Sequence, residues 1–346
     1  LLRIDGEAEG LYGTTSVARR QDGAIVVAQP EEARVVVFSP TGRLIASAER
    51  PGEGPGEFRW PVYLTPVGDS VWVLDGVVPR MTLLDPSLTL IRTEARPVTL
   101  VLSDGSRAGM SRPYAKSRYP DGSVLASTYV DLTRGPGAPP QGHAAVVRAA
   151  PDGMIRYILG SRPPSSADCF FQSANGMRYL PACGGALDAQ DPNGAHWVLA
   201  AGTIEGAQAG LLSVVAVTAS GDTIHRTTLR FSPRPITRAM ADSIRRAAIA
   251  EARAPEAKAL AGEMVLKPNL PALSYLAVGT DGSAWLGMWP HGTFREWRIV
   301  NRFGREVPPI RLPRNARVRY ADAKEVVTTE DRGDGFEDVV VYRIPR

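Results

Sequence analysis

The chain has no apolar run long enough to cross a bilayer as a helix. Its longest, Leu211 to Val217, is interrupted by Ser213 and is strand-length, against the roughly 20 residues that a spanning helix needs. Lysine is scarce: Lys116, Lys258, Lys267 and Lys324 are the only four among 40 basic residues. None of them follows a glycine, which excludes a phosphate-binding P-loop. There is no Gly-x-Ser-x-Gly elbow for a hydrolase nucleophile. None of the four histidines, His143, His196, His225 and His291, falls in His-Glu-x-x-His, and no Cys-x-x-Cys-His haem site exists. The net charge is only +4, with arginines interleaved among Asp and Glu along the chain. A nucleic-acid surface needs a concentrated basic face, usually with stacking aromatics, so nucleic acid is not an expected partner. Weak attraction to an anionic membrane surface fits this charge better.

Cysteine is equally sparse. Cys169 and Cys183 lie in a Gly/Pro/Ser-rich stretch, a context that suits a disulfide staple in an oxidising compartment, with two free thiols as the alternative. The chain begins at Leu1 rather than Met. A removed signal peptide is one explanation and a missing terminus another. With the cysteine pair, this frames the expectation of a periplasmic or secreted protein.

What is abundant is turn chemistry. The 34 glycines and 29 prolines point to many short strands joined by tight turns. Hydrophobic content of 44% and charged content of 22% are those of a globular protein. A unit recurs six times: an apolar strand, an Asp-Gly or Gly-Asp turn, a second apolar strand, then a third ending at another turn. Its turns include Asp22-Gly23, Gly68-Asp69, Asp121-Gly122, Asn193-Gly194, Asp281-Gly282 and Asp334-Gly335. Six such copies of about 40 to 50 residues predict a radial array, because an open sheet of that size would leave long unpaired edges. The expected fold is an all-β, six-bladed β-propeller forming a single domain over residues 1–346. The last copy lacks a fourth strand, and Leu1-Leu2-Arg3-Ile4-Asp5 is a strand without a blade. The N-terminal strand is therefore expected to complete the sixth sheet and close the ring.

Three insertions are expected, at about 132–142, 160–192 and 233–271. The last has Met240, Ile244 and Ala248 at fourfold spacing, which predicts a helical insertion near 237–262, broken by Pro255 into two short helices. Long loops in compact domains are often functional, so a lid or docking role is the sharper reading of these segments.

The second copy carries the most specific pattern: Gly54-x-Gly56-x-Phe58, Pro61, Val71-Trp72-Val73-x-Asp75, Arg80 and Leu84-Asp85. It resembles an NHL repeat, and the whole chain resembles the bacterial six-bladed propellers built from such repeats, many of them secreted. The resemblance implies that Asp75 and Arg80 brace the loop between strands. The third and fourth copies lack this Asp…Arg pair.

Chemistry-bearing residues are few. The histidines fall in the third, fourth and fifth copies, and a propeller can gather such side chains at its axis, as amidating-type lyases do for zinc; His196, His225 and His291 are the ones whose places can be compared. Their places on a second strand, an outer strand and a loop argue for different distances from the axis. The acidic stretch Glu330 to Asp338 departs from a calcium loop, since Arg332 occupies a ligand position and no Glu closes it; a solvated turn is the expectation. Most tryptophans fall on strands and are expected between blades. Trp289, His291 and Phe294, in the loop Trp289-Pro290-His291-Gly292-Thr293-Phe294, form a candidate contact patch.

These features favour a non-catalytic extracytoplasmic propeller, a scaffold or protein-protein interaction subunit without a cofactor. Its partner would be a protein, for example a respiratory or photosynthetic complex met on the periplasmic face of a membrane. The alternative is a propeller hydrolase or lyase, lactonase-like or amidating-lyase-like, with a divalent metal at the central axis.

Overall fold

The computed structural model describes residues 1–105, 107–108, 114–129, 144–162, 170–173, 176–179, 186–205, 209–251, 255–262 and 266–344. Six four-stranded antiparallel sheets follow one another around a ring. Blade one comprises β2 (Ser16–Arg19), β3 (Ile25–Gln29), β4 (Arg34–Phe38) and β5 (Leu44–Glu49). Blade two comprises β6 (Pro61–Val67), β7 (Ser70–Asp75), β8 (Arg80–Leu84) and β9 (Leu90–Ala95). Blade three runs through β10 (Tyr114–Arg118), β11 (Val124–Tyr129), β12 (Ala144–Ala149) and β13 (Ile155–Arg162). Blade four holds β16 (Leu187–Gln190), β17 (His196–Glu205), β18 (Ala209–Thr218) and β19 (Thr223–Phe231). Blade five holds β20 (Tyr275–Val278), β21 (Ala284–Gly287), β22 (Phe294–Val300) and β23 (Glu306–Pro313). Blade six has β24 (Ala316–Ala321), β25 (Glu325–Asp331) and β26 (Glu337–Arg343).

The missing fourth strand of blade six comes from the other end of the chain. β1 (Leu2–Ile4) pairs antiparallel with β26, Leu2 opposite Val341 and Ile4 opposite Val339. Side chains hold this seam as well as backbone. Arg3 bridges Glu330 and Asp338, whose side chains are only 5% and 9% exposed. Gly6 donates its N–H to Asp338 Oδ1 at 2.9 Å, and Thr14 donates its N–H to Glu337 Oε2 at 2.8 Å. A Cβ on Gly6 would stand 2.3 Å from the Glu337 carbonyl oxygen, so only glycine permits the chains to approach this closely. Arg332 reaches back to Asp5 and Glu7, each at 2.9 Å. The acidic stretch expected to be a solvated turn is thus a clasp. Its turn is confined to residues 332–336, and Glu330, Glu337 and Asp338 lie buried on flanking strands.

Tight turns explain the repeating signature. In the Asp22-Gly23, Asp121-Gly122 and Asp281-Gly282 turns the glycine has φ near +80°, and the aspartate Oδ1 accepts the N–H two residues on at 2.9 to 3.0 Å. Glycine supplies the left-handed backbone and aspartate the local acceptor, the two requirements of such a turn. Between blades the core is apolar and aromatic. Trp72, Trp285 and Trp297 are nearly inaccessible, and the Arg118 guanidinium lies 4.2 Å from the Trp72 ring across the junction of blades two and three. Trp60 is the exception, 39% exposed in the connection between blades one and two.

The expected 160–192 insertion is shorter than its sequence suggests. Gly160 to Arg162 continue β13, and Leu187–Gln190 is β16, the innermost strand of blade four. Within the stretch, β14 (Phe170–Ser173) and β15 (Gly176–Tyr179) pair as a small separate hairpin. Sequence periodicity could not separate an inner strand of four residues from the irregular segment before it. The expected helices form as α1 (Arg238–Glu251) and α2 (Pro255–Gly262), with Pro255 opening the second, where its missing N–H costs nothing. Ala248 and Ala261 are buried where the two helices meet. The 132–142 insertion, Cys169 and Cys183 lie outside the described residues.

Candidate functional site

An antiparallel four-stranded blade connects its first and second strands, and its third and fourth, on one rim of the ring. It connects its second and third strands, and passes to the next blade, on the other. On the first rim no connection exceeds five residues. Everything longer belongs to the second rim: 96–113, 130–143, 163–186 and 232–274 are the longest, with 5–15 and 50–60 shorter. The four longest run from the end of blade two to the start of blade five, so they load one arc of one face. α2 lies against β14, which brings the second and third insertions together on that arc.

A cavity of about 490 Å³ opens where the third insertion rejoins the ring. One wall is the outer reach of β17, with Ala200, Gly202 and Ile204; the other is the run Lys267 to Leu273 leading into β20. A Cβ on Gly202 would stand 2.4 Å from the Ala272 Cβ, so this glycine lets the returning segment lie directly on the strand. The volume lies within the roughly 300–1,000 Å³ range of ligand pockets. Its walls join apolar side chains, among them Ile204, 40% exposed, to Lys267 and Asn269.

The axial channel is narrower, about 240 Å³, and is lined by the innermost strands of all six blades. Three of those strands carry β-bulges: one between Pro61 and Tyr63, and two at cations, between Ala115 and Ser117 and between Val318 and Tyr320. The residues at the latter two are Lys116 and Arg319, which line the channel from opposite blades, three and six. A bulge re-aims one side chain, which is how each of these strands presents a cation to the channel. Lys116 is neutralised by Asp188 at 2.7 Å, and Asp188 also accepts Trp197 Nε1–H at 3.3 Å. Arg319 instead donates to neutral groups: Thr329 Oγ1, Thr15 O and Thr14 O, at 3.0, 3.0 and 2.7 Å. Burial pushes its pKa down from the usual arginine value.

The histidines do not converge. His196 opens β17 beside the short-turn rim, its Nδ1 3.3 Å from the buried Asp191 carboxylate, which raises its pKa. His225 sits on the outermost strand β19, with Nδ1 3.2 Å from Thr227 Oγ1, and burial lowers its pKa. His291 is exposed on the opposite rim, and His143 lies outside the described residues. Among the described residues no group of three His, Cys, Asp or Glu side chains could hold a metal.

The candidate contact patch divides. Trp289 is half-buried, and its Nε1–H donates to Pro271 O at 2.8 Å, tying the β21–β22 connection to the returning insertion. His291 and Phe294 stay together, ring centroids 6.3 Å apart, and Arg311 stacks 4.7 Å from the Phe294 ring. All lie on the insertion-bearing rim. Asp75 is 3% exposed, and its two oxygens accept four backbone N–H groups: Arg59 at 2.7, Trp60 at 3.1, and Val77 and Val78 both at 2.8 Å. Arg80 donates to the Glu53 and Glu57 carbonyls. Together they fasten the 50–60 connection to the loop between β7 and β8.

No family model matches the chain, and no curated protein matches it. Solved structures do. A member of the DUF4221 family from Bacteroides vulgatus superposes with a TM-score of 0.50 at 10% identity, over 100% of this chain and 96% of that one. A streptogramin B lyase gives 0.44 at 10% identity, over 96% of this chain and 94% of the lyase. Regucalcin of Agrobacterium tumefaciens, a calcium-binding protein, gives 0.43 at 11% identity, over 100% and 95%. At such identity the likeness shows the fold, a six-bladed β-propeller, and nothing of the chemistry.

Proposed function

We propose that the chain is a non-catalytic docking propeller, a single domain of NHL-like repeats that works outside the cytoplasm and binds a protein partner through its insertion-bearing rim. The observation that carries this reading is the segregation of loops: short turns on one rim, every longer connection on the other, with the four longest running from the end of blade two to the start of blade five. A rigid ring presenting an irregular arc is suited to recognition, since loops on a fixed scaffold vary without disturbing the core. The cavity of about 490 Å³ beside the returning insertion would receive an apolar anchor of the partner, the usual centre of a protein interface. His291, Phe294 and Arg311 would form part of its border. A subunit of a membrane complex fits this surface, as does a Cys169–Cys183 staple within the second insertion.

The reading is tested by retention on immobilised propeller of a partner from detergent-solubilised membranes of the native host. Introducing negative charge at exposed rim positions, His291→Asp with Thr293→Glu, is expected to abolish retention. The matched change on the opposite rim, Thr41→Glu with Ser220→Glu, is expected to leave it intact. Loss in the second variant with retention in the first would overturn the assignment of the docking face.

A further inference from the structure

Arg295, on β22, is buried at 6% exposure without an acidic partner among the described residues. Its Nη1 donates to Ser274 Oγ and, at 3.0 Å, to Met288 O, while Nη2 donates to Arg314 O at 3.1 Å. Nε is buried with no partner among the described residues. Its guanidinium lies 4.6 Å from the Tyr275 ring, and Arg317 stands 5.7 Å from the same ring. Arg314 and Arg317 are both exposed, and neither makes an ion pair among the described residues. Arg319 is two residues along β24 from Arg317 and also donates only to neutral oxygens.

Three guanidiniums, those of Arg295, Arg314 and Arg317, therefore meet on the insertion-bearing rim at the junction of blades five and six, with no carboxylate paired to any of them among the described residues. They repel one another: Arg317 and Arg314 depress the pKa of Arg295 beyond the effect of its burial. Several arginines elsewhere do find a carboxylate. Arg3, Arg19, Arg20, Arg118, Arg148 and Arg298 each hold a carboxylate. A cluster left uncompensated in a chain that pairs so many of its arginines is a standing demand for negative charge. Exposed guanidiniums meet that demand best with a tetrahedral oxyanion, whose oxygens match their forked donors. A single carboxylate would neutralise only one of the charges.

We infer that Arg314 and Arg317, set over the buried charge of Arg295 and beside Tyr275, form a binding site for a phosphate group. Arg295 is the positioning residue: it fixes the Arg314 backbone and supplies fixed charge beneath the site. The group could belong to a soluble phosphomonoester or to a lipid headgroup. The inference adds a ligand site to the docking reading and does not depend on which protein docks.

The test has two arms, both with the full chain. Calorimetric titration with inorganic phosphate, at ionic strength held constant with chloride, reads the soluble source. Flotation with vesicles of phosphatidic acid in phosphatidylcholine, against phosphatidylcholine alone, reads the membrane source. Saturable binding in either arm that falls at least about tenfold in Arg314→Gln with Arg317→Gln, and is unchanged in the opposite-rim control Arg302→Gln, supports the site. The arm that responds identifies the source. Both positions are exposed, and the thermal midpoint of the double variant without ligand checks that the ring is intact. Absence of binding in both arms, or binding equal in the double variant and the control, would overturn the proposal.

Discussion

Asp75 shows how much one side chain can organise. Four backbone N–H groups from two loops converge on a carboxylate that is 3% exposed. Replacing it with alanine strands those donors, and a loss of about 3 kcal/mol is expected, since each buried unsatisfied polar group costs about 1–3 kcal/mol. Chemical denaturation should show the midpoint lowered at constant slope. An Asp75→Ala variant as stable as the parent would remove the brace from the account. His196 carries a pH dependence. Its hydrogen bond to Asp191 raises the imidazole pKa, so protonation favours the folded state. That contribution is complete below the unfolded histidine value of about 6.5 and is lost as pH rises through the higher folded value. The stability advantage of the parent over His196→Gln should be largest near pH 5 and shrink toward pH 8. An advantage that grows with pH would contradict the pairing.

At the scale of elements, β1 and the helical insertion make separate predictions. Arg3 neutralises two carboxylates that are nearly inaccessible. Arg3→Met should destabilise the seam by about 2 kcal/mol, less than the 3–5 kcal/mol of a fully buried broken pair because Arg3 itself is partly exposed. Hydrogen exchange should quicken first at Leu2–Ile4 and β26. Uniform quickening around the ring would argue against a distinct seam. Ala261 is inaccessible between α1 and α2, so Ala261→Asp should release α2 while protection in β17 and β18 is preserved. These elements also mark what the sequence could reveal. The recurring Asp-Gly turns made six sheets legible, because each turn is set by two adjacent residues. The fourfold spacing of Met240, Ile244 and Ala248 and the position of Pro255 made both helices legible. The clasp was not legible, since its acidic residues find their partners more than 300 positions away. Nor were the channel cations, because alternation along a strand does not disclose the bulges that aim Lys116 and Arg319 inward. The arginine cluster was hidden for a similar reason: Arg295, Arg314 and Arg317 are ordinary in sequence, and only the fold shows that no carboxylate among the described residues pairs with them.

Across the whole molecule, the ring provides rigidity and the unequal rims provide direction. Closure by β1 supplies the outermost strand of blade six, so the chain ends are locked together, the blades support one another and the outward loops are free to diverge. The consequence is a molecule with a plain face and an elaborated one, the elaborated face also bearing the uncompensated arginines. A partner should therefore meet the ring from one side only. Photo-cross-linking in native membranes measures this most directly, with a photoreactive residue placed at Thr293 on the insertion-bearing rim or at Ser220 on the short-turn rim. The account predicts a discrete cross-linked adduct from Thr293 and none from Ser220. An adduct from Ser220 alone would contradict it.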